Sequence, residues 1–166
     1  MDRTTSTTIV IAVILLALLG MYLGWRARQR RQSSLPEIAA VPADAGAVRY
    51  SAETFYAATT IAGEPLNRVA VRGLGFRGRA TVTVTDLGVI LGIAGVPEAF
   101  IQISALRRVE RATWTIDRVV ENGGLVLIAW TLGETDIDSY LRLADSADPG
   151  PLIDAISGLL TSKASS

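Results

Sequence analysis

Between Thr4 and Trp25 the chain runs for 22 residues without a charged side chain, and Ile9 to Leu23 reads IVIAVILLALLGMYL. A run that apolar, with no polar face, does not suit a surface helix of a soluble domain. As a helix rising ~1.5 Å per residue it reaches roughly 30 Å, the thickness of one hydrocarbon core. Tyr22 and Trp25 stand where interfacial aromatics belong, and Arg26, Arg28, Arg30 and Arg31 follow at once. A cleaved signal peptide would put its positive charge before the run and a small-x-small site after it. Here Asp2 offsets Arg3, and the segment after Trp25 is bulky and basic. The expectation is a retained transmembrane helix over residues 8–25, with 1–7 as a short external N-terminus.

The flanking charges also set an orientation. Four arginines follow the helix, so the positive-inside rule places the C-terminal side in the cytoplasm of a cell (inner) membrane and the N-terminus outside. Within the helix, Gly20 and Gly24 form a single GxxxG, a spacing that lets two helices approach closely. The zero net charge of the chain is therefore a sum over two parts. Residues 1–31 hold five arginines against one acid, and the rest holds 11 basic and 15 acidic residues. The net-acidic part is repelled by an anionic leaflet, so any headgroup binding has to come from one local basic loop.

Cysteine and histidine are absent, and Lys163 is the only lysine. This removes thiol and histidine nucleophiles, Cys/His zinc sites, disulfides and P-loop chemistry. No catalytic residue, cofactor or metal site is expected, and the chain is not read as an enzyme.

Residues 26–48 read as a basic juxtamembrane segment and a flexible tether, rich in small residues and carrying Pro36 and Pro42. A domain is expected over 49–161, with 162–166 as a disordered tail. Its pattern is mainly β. Ala80 to Thr85 alternates strictly, Leu125 to Leu132 is almost wholly apolar, and Asn122-Gly123 is a hairpin signal. Strand patterns also cover Thr54–Ile61, Asn67–Val71, Val89–Ile93, Phe100–Ile103, Leu106–Ile116 and Ile137–Leu143. After Asp148 and Pro149, Leu152, Ala155, Ile156, Leu159 and Leu160 make one apolar stripe at helical spacing. Short strands followed by one terminal helix predict a small barrel or sandwich closed by that helix.

That order, together with Tyr56-Ala57-Ala58-Thr59-Thr60, Leu66-Asn67-Arg68-Val69, Gly73 through Ala80, Pro97 through Ile101 and Trp130-Thr131-Leu132-Gly133, resembles an actinobacterial family of single-pass membrane proteins with a bacterial PH-like domain and no assigned role. The resemblance covers the apolar helix and nearly all of 50–161. It implies a PH-like, partly open barrel of about seven strands closed by the C-terminal helix. It also implies lipid, peptide or protein binding, with self-association into a homo-oligomer, and a partner connected with pyrimidine biosynthesis.

Several constellations invite chemistry. Gly73, Gly75 and Gly78 spell GxGxxG, but the β-branched alternation that follows is not the helix a dinucleotide site needs. The same loop carries Arg72, Arg77 and Arg79, which together with Gly75 and Gly78 are the candidate ligand or partner-binding residues; glycine-rich backbone and arginines can hold phosphate. Glu134, Asp136 and Asp138 lack the glycine and further ligands of a calcium loop, so no metal is expected. Arg107, Arg108 and Arg111 near Trp114 are interleaved with Glu110, Asp117 and Glu121, which leaves no basic stripe for nucleic acid. The function expected is a membrane-anchored interaction or scaffold module, offered to a protein partner or to itself. The alternative is a sensor of anionic headgroups or phospholigands using the Gly73–Arg79 loop.

Overall fold

The computed structural model describes residues 3–33, 35–70, 73–112, 124–144 and 148–164. The chain divides into two compact units, residues 1–34 and 35–166.

The first unit is a helix, α1 (Arg3–Ser33). It starts before the expected span and continues through the basic run, because arginine, alanine and glutamine all favour helix and the first breaker is Pro36. Its described apolar side chains are at least half exposed, from Ile9 at 50% to Met21 at 72%. Tyr22 and Arg26 are exposed, while the side chains of Trp25, Arg28, Arg30 and Arg31 lie outside the described set. A Cβ built on Gly20 or Gly24 would meet nothing. Among the described residues no helix is long and apolar enough to cross a membrane. The transmembrane helix expected over 8–25 is thus represented by a helix without being found as a span.

The second unit is built on one long strand, β1 (Val48–Ile61). Its first part pairs with β3 (Gly78–Thr85) and its second with β8 (Thr135–Leu143), so Thr54 lies opposite Ala80 and Thr59 opposite Ser139. After β1, Gly63, at φ 75, turns the chain into β2 (Glu64–Arg68). After β3 come β4 (Gly88–Ile93), β5 (Ala99–Gln102), a 3-10 turn at Ile103–Ala105, β6 (Leu106–Ala112) and β7 (Leu125–Leu132). The sheet order is β5-β4-β3-β1-β8-β7-β6, all antiparallel, with β2 attached to β1.

The partly open barrel of about seven strands is corrected to an open sheet of eight. β5 and β6 are its two ends and do not pair with each other. The terminal helix, α2 (Gly150–Ala164), covers the open side, as expected. Leu152, Ile156 and Leu159 are fully buried in one cluster with Leu91 and Ile101 from one half of the sheet and Val126, Ile128 and Trp130 from the other. Asp148 Oδ1 accepts the Gly150 N–H at 3.0 Å, which is the expected start signal. Residues 162–164, expected in a disordered tail, are the last turn of α2. Lys163 Nζ there donates to the carbonyls of Ser104 (2.8 Å) and Leu106 (3.0 Å).

Residues 35–47, expected as tether, belong to the domain. Leu35 is 5% exposed in the core, and Ile38 packs against that core. The Phe100 N–H donates to the Ala39 carbonyl at 2.9 Å, so this arm covers the β5 edge. Trp130 is buried, whereas Trp114 and the Asn122-Gly123 hairpin signal lie outside the described residues.

Candidate functional site

The loop that joins β2 to β3 carries the expected binding residues. Arg72 lies outside the described residues. Gly73 adopts φ 83, and a Cβ on Gly75 would come within 2.9 Å of the Ala70 carbonyl oxygen, so both glycines are required by the turn. Gly78 opens β3 opposite Tyr56. No helix follows, which removes the dinucleotide reading of GxGxxG.

The loop is fastened from beneath by a chain of four buried side chains. The Tyr56 hydroxyl donates to the Leu74 carbonyl at 3.0 Å, and Trp130 Nε1–H donates to Ser139 Oγ at 2.9 Å. Tyr56 to Thr59 (2.6 Å) and Thr59 to Ser139 (2.7 Å) complete it. Each hydroxyl has one proton, and the Leu74 carbonyl can only accept. The direction is therefore fixed: Trp130 donates to Ser139, Ser139 to Thr59, Thr59 to Tyr56, and Tyr56 to the loop. Burial pushes the Tyr56 hydroxyl up to about 12, against the smaller downward pulls of Thr59 and Arg68, so it stays protonated. Tyr56→Phe is expected to destabilise the domain by about 2 kcal/mol, because it strands the Leu74 carbonyl and the Thr59 proton. A denaturant titration with an unchanged midpoint would contradict this directional chain.

A second fastener escaped the sequence. β1 shifts register between Tyr56 and Ala58, a bulge at Ala57. Arg68 Nη2 donates to the Ala57 carbonyl (3.3 Å) and to the Gly75 carbonyl of the loop (3.4 Å). A bulge leaves a carbonyl without its ladder partner, and a nearby arginine can supply the donor. Nothing local in Asn67-Arg68-Val69 announces this, since it depends on where the bulge falls.

So held, the loop displays Phe76, Arg77 and Arg79. Phe76 is 63% exposed, both arginines are exposed, and Leu66 on β2 is 83% exposed. Arg79 lies opposite Phe55, which is also exposed. The structure thus joins basic side chains with large apolar ones where the sequence pointed to arginines alone. The Pro36 ring sits against Gly133, at the turn between β7 and β8. That turn is at the same end of the sheet as the Gly63 turn, since Ile137 pairs with Ile61.

The other sheet end differs in character. Among the described residues no strand pairs with the free side of β6. Its side chains form exposed ion pairs: Arg107 with Asp136 (3.0 Å), Arg108 with Glu110 (3.4 Å) and Arg111 with Asp148 (2.6 Å). The Arg107 guanidinium and the Thr131 hydroxyl hold Asp136 below the usual carboxylate range. The Gly150 N–H, then Arg111, do the same for Asp148. Among the described residues no group of acidic side chains could hold a metal ion.

A family model described as bacterial PH domain-like matches residues 35–157, beginning at the residue where the folded unit begins. No curated protein matches the chain.

Proposed function

The chain belongs to the bacterial PH domain-like family, and from that premise we propose that it is a membrane-anchored interaction module whose free β6 edge takes a protein partner. PH-like domains generally mediate protein or lipid interactions. The observation that carries the choice is the asymmetry of the two sheet ends. β5 is covered by the chain's own arm, whereas among the described residues no strand pairs with the outer side of β6, which is bordered by charges of both signs. An open edge adds a partner strand through backbone hydrogen bonds, and mixed charges select its register.

The anchor in this proposal is α1. Its support is the 22-residue uncharged run, the helix that forms over it, and apolar side chains at least half exposed. The arginine cluster from Arg26 to Arg31 supports a cytoplasmic domain. Anchoring raises the effective concentration of the domain for any partner bound to the same membrane. In alkaline carbonate extraction the full chain is expected to stay with the membrane and a chain beginning at Leu35 to leave it. A cytoplasmic reporter fused at Ser166 should be active. Release of the full chain, or activity of an external reporter alone, would end the anchored cytoplasmic reading.

A second reading is favoured by one observation, the exposed Phe76 and Leu66 beside Arg77 and Arg79. Apolar tips with adjacent arginines suit an anionic lipid surface. It predicts that residues 35–166, a unit with its own core, co-sediment with phosphatidylglycerol vesicles at low salt. The Phe76→Ser and Arg77→Glu variants should each lose most of that binding. No sedimentation by the parent domain would remove the lipid reading and leave the β6 edge as the contact.

A further inference from the structure

The face of the sheet turned away from α2 carries a buried carboxylate with one oxygen lacking a donor among the described residues. Asp138 lies on β8 between Ala129 of β7 and Thr60 of β1. It is only 6% exposed, and its Oδ1 has no hydrogen-bond partner. A buried acceptor left unsatisfied is costly, and a charged one more so, which is why native proteins keep few of them. The neighbours that could have satisfied it are committed elsewhere. Arg107 goes to Asp136, and Arg108 to Glu110. Asp138 lines a depression of about 270 Å³ with Ala62, Ala129 and Asp136, rimmed by Arg107 and Arg108. Those two arginine side chains are 57% and 56% exposed, so the rim can yield to an incoming group. The floor is open because the residues flanking Asp138 across the sheet are small.

We propose that this depression is a binding site for one cationic head group, the guanidinium or ammonium of an arginine or lysine side chain supplied by a protein partner, with Asp138 as its counter-ion. Of the two carboxylates in the lining, Asp136 pairs with Arg107, and Arg108 pairs with Glu110 outside it, so Asp138 is left without an ion pair among the described residues and a single added positive charge supplies one. A metal ion fits poorly, since no set of three acidic ligands converges among the described residues. Burial raises the Asp138 carboxyl above the usual range, with Arg108 pulling it down and Glu110 and Asp136 pushing it up. An arriving cation would relieve that desolvation. The proposal rests on the interaction-module reading for the bearer of the cation, and the site itself is testable without it.

The test is an NMR titration of the full chain in detergent micelles with methylguanidinium and, separately, methylammonium, reading the amides of Ala129 and Ile137. Saturable shifts are expected, with binding weakened at least about tenfold in Asp138→Asn and unchanged in Asp86→Asn, whose carboxylate pairs with Arg49 at 2.7 Å away from the site. A second readout separates a binding carboxylate from a structural one. Asp138→Asn is expected to raise the thermal midpoint by about 3 °C, because it removes a desolvated charge that has no ion pair among the described residues. A structural carboxylate would lower it. No saturable shift, identical titrations of parent and Asp138→Asn, or a lowered midpoint would overturn the site. If the site fails while crosslinks from the β6 edge persist, the module reading stands and only the cation pocket falls.

Discussion

Trp130→Ala is expected to cost about 4 kcal/mol of stability and to lower the thermal midpoint by roughly 15 °C. Trp130 is one of the largest fully buried side chains, 2% exposed, in the cluster where both halves of the sheet meet α2. Truncation opens a cavity among rigid neighbours and removes an anchor of that meeting point. It also deletes the first donor of the chain that ends on the Leu74 carbonyl, leaving Ser139 Oγ without its indole partner. The effect should therefore reach the loop. Amide signals of Leu74 and Gly75 are expected to shift although Trp130 lies on another strand. A loss confined to global stability, with the loop signals fixed, would mean that the polar chain does not couple core to loop.

Gly88→Ala is expected to cost about 3 kcal/mol, as overpacking against an immobile partner. Gly88 begins β4 and is buried. A Cβ there would collide with the Ile101 carbonyl oxygen and lie 3.1 Å from the Phe100 ring. The obstacle is backbone, so it cannot rotate away; β5 must separate from β4. The arm depends on β5 through the Phe100–Ala39 bond, so its release should follow. Chemical denaturation gives the cost, and hydrogen exchange at Phe100 reads the arm. An exchange rate unchanged from the parent would contradict the coupling of arm to edge.

Much of the fold could be read from periodicity. The strict alternation of Ala80–Thr85 became β3, the apolar run Leu125–Leu132 became β7, and the stripe Leu152, Ile156, Leu159 became the buried face of α2. These patterns are local, so the sequence carries them directly. The arm did not show because Leu35 and Ile38 stand in a proline-bearing stretch of small residues with no strong period, and their burial depends on packing against distant strands. The eighth strand and the fully open sheet were not legible for a related reason: periodicity identifies strands but not which of them pair. At the candidate loop, glycines and arginines were visible. The Arg68 strap was not, because it follows from a bulge, nor were Phe76 and Leu66 as displayed residues, because only the fold decides that they stay outside. Asp138 was legible as a charge but not as a buried one. Its burial comes from its place in the sheet, not from the residues beside it in sequence.

The most direct test of the account is site-specific photocrosslinking in intact membranes, comparing a photoreactive residue at Arg107, an exposed position on the edge strand β6, with one at Asp154, on the exposed face of α2. A membrane-anchored module that binds through its β6 edge predicts a discrete protein adduct from position 107 in the membrane fraction and none from position 154. Equal adducts from both positions, or none from 107, would contradict it.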